Sequence, residues 1–272
     1  MADTSINDIL TRLRARAEAA GVRVLTLPPV TPARLRSIQL DMLGLPTEIA
    51  ELLALTAGLQ FGEHALDFAA SFHVTETPPP PESPWRLFPR RLDLGTGSDG
   101  GRYIVDLSRP AVATAPVFGV WPDPPVIKLL TPSLEAFLAN VARAMPAKGD
   151  GSVWDFAPLG GGYKPGNRRA ASQFEPAPVL RGTQLRRLAD AVLTAYIQHL
   201  PAGGRLVDLR GLKPGAGFEW AGRWQIAEFQ RHPSELIFAL TIRRRWWRPT
   251  AVLLGRPSAR EKRRWKAAFR LE

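Results

Sequence analysis

The run Arg243-Arg244-Arg245-Trp246-Trp247-Arg248 sets four arginines around two tryptophans. Guanidinium groups neutralise phosphates and indole faces stack on bases, so this segment is the clearest candidate for holding an anionic partner. Arg260, Lys262, Arg263, Arg264 and Lys266 form a second basic cluster close by in sequence. From the two clusters, Arg243, Arg244, Arg245, Trp246, Trp247, Arg248, Arg263 and Arg264 are taken as the candidate contacts. The competing reading is an amphipathic strand with its tryptophans packed inward, followed by a solvated helix. It carries weight because basic clusters are common and no recognised nucleic-acid motif accompanies these. An anionic membrane surface is a third reading, for which the terminal segment offers little apolar depth beyond Trp265, Ala268 and Phe269.

Other chemistry is sparse. Gly95-Thr96-Gly97-Ser98-Asp99-Gly100 matches G-x-G-x-x-G, but a dinucleotide site needs a helix after that string. Here the strand-like Arg102–Leu107 follows, so a tight turn is expected, with no helix terminus to receive a pyrophosphate. No phosphate loop, H-E-x-x-H or G-x-S-x-G occurs. The histidines, His64, His73, His199 and His232, stand at no metal-ligand spacing. Glu63 and His64 beside Asp67 read as polar loop residues or an acid/base pair, and nothing else in sequence supports the pair. The chain has no cysteine, which removes disulfides, thiolate metal sites and cysteine nucleophiles. The expectation is a non-enzyme with no catalytic, cofactor-binding or metal-binding residues and no cofactor.

Charge divides unevenly along the 272 residues. Residues 1–150 hold 14 Lys/Arg and 16 Asp/Glu, a net of −2; residues 151–272 hold 22 and 9, a net of +13. That split suggests two units with different surfaces and points the second at an acidic partner. Apolar residues at 45% support a packed core. Met1-Ala2-Asp3-Thr4 carries an acidic residue and no apolar stretch follows, so no secretory signal or membrane span is expected and the default location is cytoplasmic.

The elements that would position these groups follow from caps and periodicity. A first helix is expected over Ser5–Ala20, with Ile6, Ile9, Leu10, Leu13 and Ala17 on one face and Gly21 ending it. Val22–Leu25 reads as a short strand. Thr31-Pro32 opens a second helix that ends near Gly44. Pro46 opens a third, with Ile49, Leu52, Leu53 and Leu55 as its apolar side. A strand is expected within Ala65–Phe72. The four prolines Pro78–Pro81 then read as an extended surface loop or as a polyproline ligand for an aromatic groove. Strands are expected at Arg102–Leu107, Val117–Trp121 and Val126–Leu130. A helix capped by Thr131 or Ser133 follows, with Leu134, Phe137, Leu138 and Val141 in the core. Residues 151–178 read as a linker. Beyond it, a helix over Thr183–Leu200 should bury Leu185, Leu188, Val192, Ala195 and Tyr196. Strands are expected at Leu206–Leu209, Phe218–Trp224, Gln225–Phe229 and Leu236–Ile242. A further strand within Trp247–Leu254 and a basic helix over Ser258–Phe269 complete the reading.

Residues 45–141 resemble the SMI1/KNR4 superfamily, also called SUKH. The resemblance rests on Leu45-Pro46 opening a helix with Leu52-Leu53 inside it and Gly58 closing it. It continues through the turn and strand of Gly100–Leu107, and ends at the strand-to-helix junction Leu130-Thr131-Pro132-Ser133-Leu134-Glu135-Ala136-Phe137-Leu138. Ala57-Gly58 stands where the family often has Asn-Gly. The resemblance implies an α+β fold, helices packed around a mostly antiparallel sheet. It also implies a non-catalytic protein that binds a protein partner, many bacterial members resembling immunity proteins that neutralise toxins. On this reading residues 1–150 form a SUKH-like domain, 151–178 a linker, and 179–272 a smaller basic α+β domain of no recognised family. The expected function is protein binding, with a toxin as one such partner and occlusion of its active surface as the mechanism. The alternative is a nucleic-acid-associated protein binding through the basic half.

Overall fold

The computed structural model describes residues 5–19, 21, 23–61, 64–69, 71–74, 79–96, 101–109, 113–122, 125–144, 175–181, 190–198, 200, 204–220 and 225–244. Helix α1 (Ile6–Ala19) buries Ile6, Ile9, Leu10, Leu13 and Ala17, the face its period predicts. In α2 (Pro32–Asp41), Thr31 caps the first turn by accepting from the Arg34 N–H at 3.3 Å. Helix α3 (Thr47–Leu55) buries Ile49, Leu52 and Leu53. Leu55, expected on that face, is exposed at the last residue of the helix. Helix α4 (Leu134–Ala144) is capped by Ser133, whose Oγ accepts from the Ala136 N–H at 3.0 Å. Its Leu134, Phe137, Leu138 and Val141 are buried as expected.

Among the described residues the strands form three sheets. β1 (Val24–Thr26), β2 (Gly58–Phe61) and β3 (His64–Asp67) make a small antiparallel one. β4 (Phe72–Val74), β5 (Arg90–Thr96), β6 (Arg102–Asp106), β7 (Val117–Pro122) and β8 (Pro125–Thr131) run as an antiparallel meander in chain order. The strand expected within Ala65–Phe72 is thus two, β3 and β4, separated by a turn at Phe68-Ala69. β12 (Ala216–Glu219) adds antiparallel to β8, and β9 (Glu175–Pro176) adds parallel to β12, completing seven strands. β10 (Val179–Arg181), β11 (Arg205–Asp208), β14 (Ile237–Arg244) and β13 (Gln225–Arg231) make a four-stranded antiparallel sheet in that order. The class is α+β, with mostly antiparallel sheets.

These pieces stack in four layers. One face of the seven-stranded sheet, with Tyr103, Val105, Val117 and Trp121, packs on α1, α3 and α4. Its other face, with Ile104, Phe118, Val120, Ile127 and Leu129, packs on Val207, Ala227, Phe229, Phe238 and Leu240 of the four-stranded sheet. The outer face of that second sheet, Leu206, Ile237 and Ala239, takes Leu193 from helix α5 (Ala191–Ile197). Strands covered on both faces read as continuous apolar runs, which is why β6, β7 and β8 lack alternation. Trp121 lies flat across its own sheet, over Gly101 and Gly119, where a Cβ would overlap the indole.

The division at residues 151–178 is therefore crossed by both pairing and packing: β9 and β12 extend the sheet of residues 72–131, and Phe218 and Phe238 share a core with Phe88 and Phe118. Net charge records surfaces, whereas the cluster of side chains that joins the halves is apolar. The helix expected over Thr183–Leu200 is seen as α5, and residues 182–189 lie outside the described part. Within it Ala195 is exposed and Leu193 is buried, packed on Leu206, Ile237 and Ala239, and Asp190 caps this turn. The proline segment ends in a turn at Pro81-Glu82 and the 3-10 helix Pro84–Leu87. Its Pro81 carbonyl accepts from the Phe229 N–H at 2.8 Å, so the described part of the loop docks on β13.

Candidate functional site

A cleft of about 510 Å³ opens where the two large sheets meet. The first half supplies Arg86 from the 3-10 helix, Arg90 from the start of β5 and Ser108 after β6. The second half supplies Tyr196 of α5, Gln230 and Arg231 of β13, and His232. Pro79, Pro89 and Pro233 form stiff apolar wall. None of the described residues lining the cleft is acidic.

Each wall is held by its own hydrogen bonds. Ser108 Oγ accepts from the Arg90 N–H at 3.3 Å and donates to the Arg90 carbonyl at 3.1 Å. The Arg231 guanidinium donates to Leu87 O and to Asp106 Oδ2, both at 2.7 Å, with side-chain exposures of 5% for Arg231 and 0% for Asp106. That buried pair ties β13 to the end of β6. Helix α5 is fixed by Asp190, which accepts from the Leu193 N–H at 3.0 Å and pairs with Arg210 at 2.8 Å; Arg210 also pairs with Asp208 at 2.7 Å. The Leu193 N–H and then Arg210 hold the Asp190 carboxyl below its ordinary value. So anchored, α5 sets the Tyr196 ring edge-on to His232, centroids 5.1 Å apart. His232 Nδ1 accepts from the Ser234 N–H at 3.3 Å, which leaves Nε2 to carry the proton of the neutral ring. Burial pushes the Tyr196 phenol up to about 12, against the nearby Arg231, so it is a neutral donor at physiological pH. Beside the cleft, Arg91 and Arg102 stack over Trp85 at 4.7 and 5.4 Å.

The candidate contacts singled out from sequence are not among the described residues that line the cleft. Arg243 and Arg244 end β14, where the backbone alone is described; Arg245, Trp246, Trp247, Arg248, Arg263 and Arg264 lie outside the described residues. So do the strand expected within Trp247–Leu254 and the helix over Ser258–Phe269. Gly95 sits in β5 at φ 118°, beside a register shift from Asp93, and β6 follows antiparallel; residues 97–100 are outside the described part. His64 and Asp67 are paired strand residues of β3, Glu63 and His199 are not described, and His73 is in β4. Burial and then Arg91 hold the His73 imidazole below its ordinary value. Among the described residues no three His, Asp or Glu gather where they could hold a metal, and no helix is long and apolar enough to cross a membrane.

A second surface feature lies at the end of α2. Leu40 is 76% exposed and Leu43 is 67% exposed. The helix closes with Leu43 N–H donating to Leu40 O at 3.1 Å and Gly44 N–H to Gln39 O at 2.7 Å. That is a Schellman closure, and it places Leu43, at φ 58°, where glycine is usual.

Comparison of the chain with protein-family models, with curated proteins and with solved structures finds no match.

Proposed function

We propose that this chain is a non-catalytic protein-binding protein of the SMI1/KNR4 type, acting as an immunity protein that covers the active surface of a toxin. The observation that carries the reading is Leu43. A left-handed backbone costs a leucine about 1–2 kcal/mol that a glycine avoids. Burial normally offsets such a cost, yet Leu43 and its neighbour Leu40 bury little in the free chain. A partner that covers both leucines supplies the missing burial, and strained exposed residues of this kind point to binding. Exposed Arg34, Arg36 and Asp41 on the same helix give the polar surround such an anchor requires. Helices α1, α3 and α4 backing a mostly antiparallel sheet agree with what the resemblance implies.

Replacing Leu43 with glycine should raise the free energy of unfolding by about 1 kcal/mol, as relief of the left-handed strain predicts, while weakening partner binding. Urea unfolding reads the first effect; a stability loss in that variant would remove the argument. The partner itself is sought by affinity capture from the native host's lysate with and without nuclease treatment. A stoichiometric protein kept by wild type after nuclease, and lost from Leu40→Asp, supports the reading.

The second reading, nucleic-acid association, is favoured by the arginine-rich joint between the sheets and by the basic end of β14. Capture of nucleic acid, with proteins lost on nuclease treatment, would replace the first reading with this one.

A further inference from the structure

We infer that the cleft between the two sheets binds the phosphate monoester of a small polar molecule. This does not depend on the protein-binding reading, since the cleft and the leucine pair are built from different residues.

Charge is the first ground. Arg231 is already balanced by Asp106, but Arg86 and Arg90 have no ion-pair partner among the described residues. The cleft thus offers two uncompensated guanidinium groups. A phosphate monoester carries about −1.5 to −2 at neutral pH, which matches them. A carboxylate carries half that charge, and a phosphodiester link in a polymer likewise carries one negative charge.

Hydrogen bonding is the second ground. The Tyr196 hydroxyl is buried and has no partner among the described residues; Arg90 Nε and Arg231 Nε also lack one, as do Arg14, Arg91 and Arg109 Nε, which do not line the cleft, so the hydroxyl is the atom that distinguishes this site. Buried polar atoms without partners are costly and call for an explanation. The hydroxyl, Arg90 Nε and Arg231 Nε belong to side chains lining one cleft, and all are donors, so the group that satisfies them is an acceptor with several oxygens. The phenol is protonated at neutral pH, burial raising its value further, so it donates to an anion without competing for charge. The His232 Nε2–H is a further donor on the same wall.

Shape is the third ground. About 510 Å³ falls within the range of small-molecule pockets. The proline-rich wall adds apolar surface at little cost in side-chain entropy. The bases of these side chains are held in place: Ser108 fixes the Arg90 backbone, and Tyr196 rides on the Asp190–Arg210 anchor.

The test is isothermal titration of the full chain with inorganic phosphate, O-phosphoserine, a nucleoside monophosphate, acetate and a short oligonucleotide lacking terminal phosphate. Saturable one-to-one binding of a monoester is expected, with acetate much weaker. Arg90→Gln should weaken it about tenfold or more, since a charge-assisted bond and a positive charge are lost. Tyr196→Phe keeps the ring against His232 and should weaken it by about threefold to tenfold, so the inference stays testable if the arginine variant unfolds. Arg12→Gln, on the exposed face of α1, removes the same charge and should leave affinity unchanged. No saturable binding of any monoester would overturn the inference. So would equal weakening by Arg12→Gln, or an oligonucleotide that binds more tightly and displaces the monoester.

Discussion

Asp106→Asn should destabilise the chain by about 3–5 kcal/mol, the usual consequence of leaving one member of a buried ion pair alone. The asparagine Oδ1 can still accept from the Ser108 N–H, as Asp106 Oδ1 does at 3.1 Å. What is lost is the charge opposite Arg231, whose side chain is 5% exposed, with its guanidinium against Leu87 O and the Phe238 ring. Because that pair links the end of β6 to β13, the loss should appear in elements from both halves of the chain. Urea unfolding followed by tryptophan fluorescence and far-ultraviolet dichroism should show one coincident transition, displaced to lower denaturant. Two separate transitions, with only one displaced, would mean that the halves are energetically independent. The double variant Asp106→Asn/Arg231→Gln should recover part of the loss, because neither charge is then stranded.

Glu48→Ala should cost about 3 kcal/mol, since it orphans two buried backbone donors and a third that is half-buried. Glu48 Oε1 accepts from the Ala115 N–H at 2.6 Å and the Leu134 N–H at 3.2 Å; Oε2 accepts from the Glu135 N–H at 3.1 Å. One carboxylate therefore fastens α3 to the segment before β7 and to the first turn of α4, where the helix dipole favours an anion. Glu48→Gln keeps the Oε1 bonds and should cost only about 1 kcal/mol. The two variants also separate the effect of charge. Burial pushes the Glu48 carboxyl above its ordinary value, against the pull of the three N–H groups. The folded chain thus takes up this proton at a higher pH than the unfolded chain. The proton-linked part of Glu48's contribution is fully present below the ordinary carboxyl value and is lost as pH rises through the raised folded value, while the hydrogen bonds to the three N–H groups remain. Wild type should therefore gain on Glu48→Gln as pH falls from neutral through that window. Unfolding curves across acid pH measure it, and a gap that narrows instead would reverse the assignment.

The helices of the first half were legible because each carries local instructions. Thr31 and Ser133 cap, and the period of Ile6, Ile9, Leu10, Leu13 and Ala17 separates core from solvent. Strands β7 and β8 were legible as apolar runs, but their meaning was not. A run such as Val126–Leu130 marks a strand covered on both faces, and nothing local says that the second cover comes from residues 207–240. β5 was missed although Leu92 and Leu94 alternate with Arg91 and Asp93, because charged residues and the preceding prolines mask the pattern. The cleft was illegible for a different reason. Arg86 and Arg90 meet Tyr196 and Arg231 only through the stacking of the two sheets, so no window of sequence holds the site. The charge split drew attention to residues 243–264, whereas the cleft combines arginines from both sides of it.

Binding of a protein partner through the end of α2 is most directly tested by titrating the captured partner against wild type, Leu40→Asp and Leu43→Gly. A loss of about tenfold or more in Leu40→Asp, with its unfolding midpoint unchanged, is expected for a buried apolar anchor. Leu43→Gly should bind more weakly than wild type while unfolding at higher denaturant. Equal affinity of all three proteins for the partner would contradict the assignment of that surface.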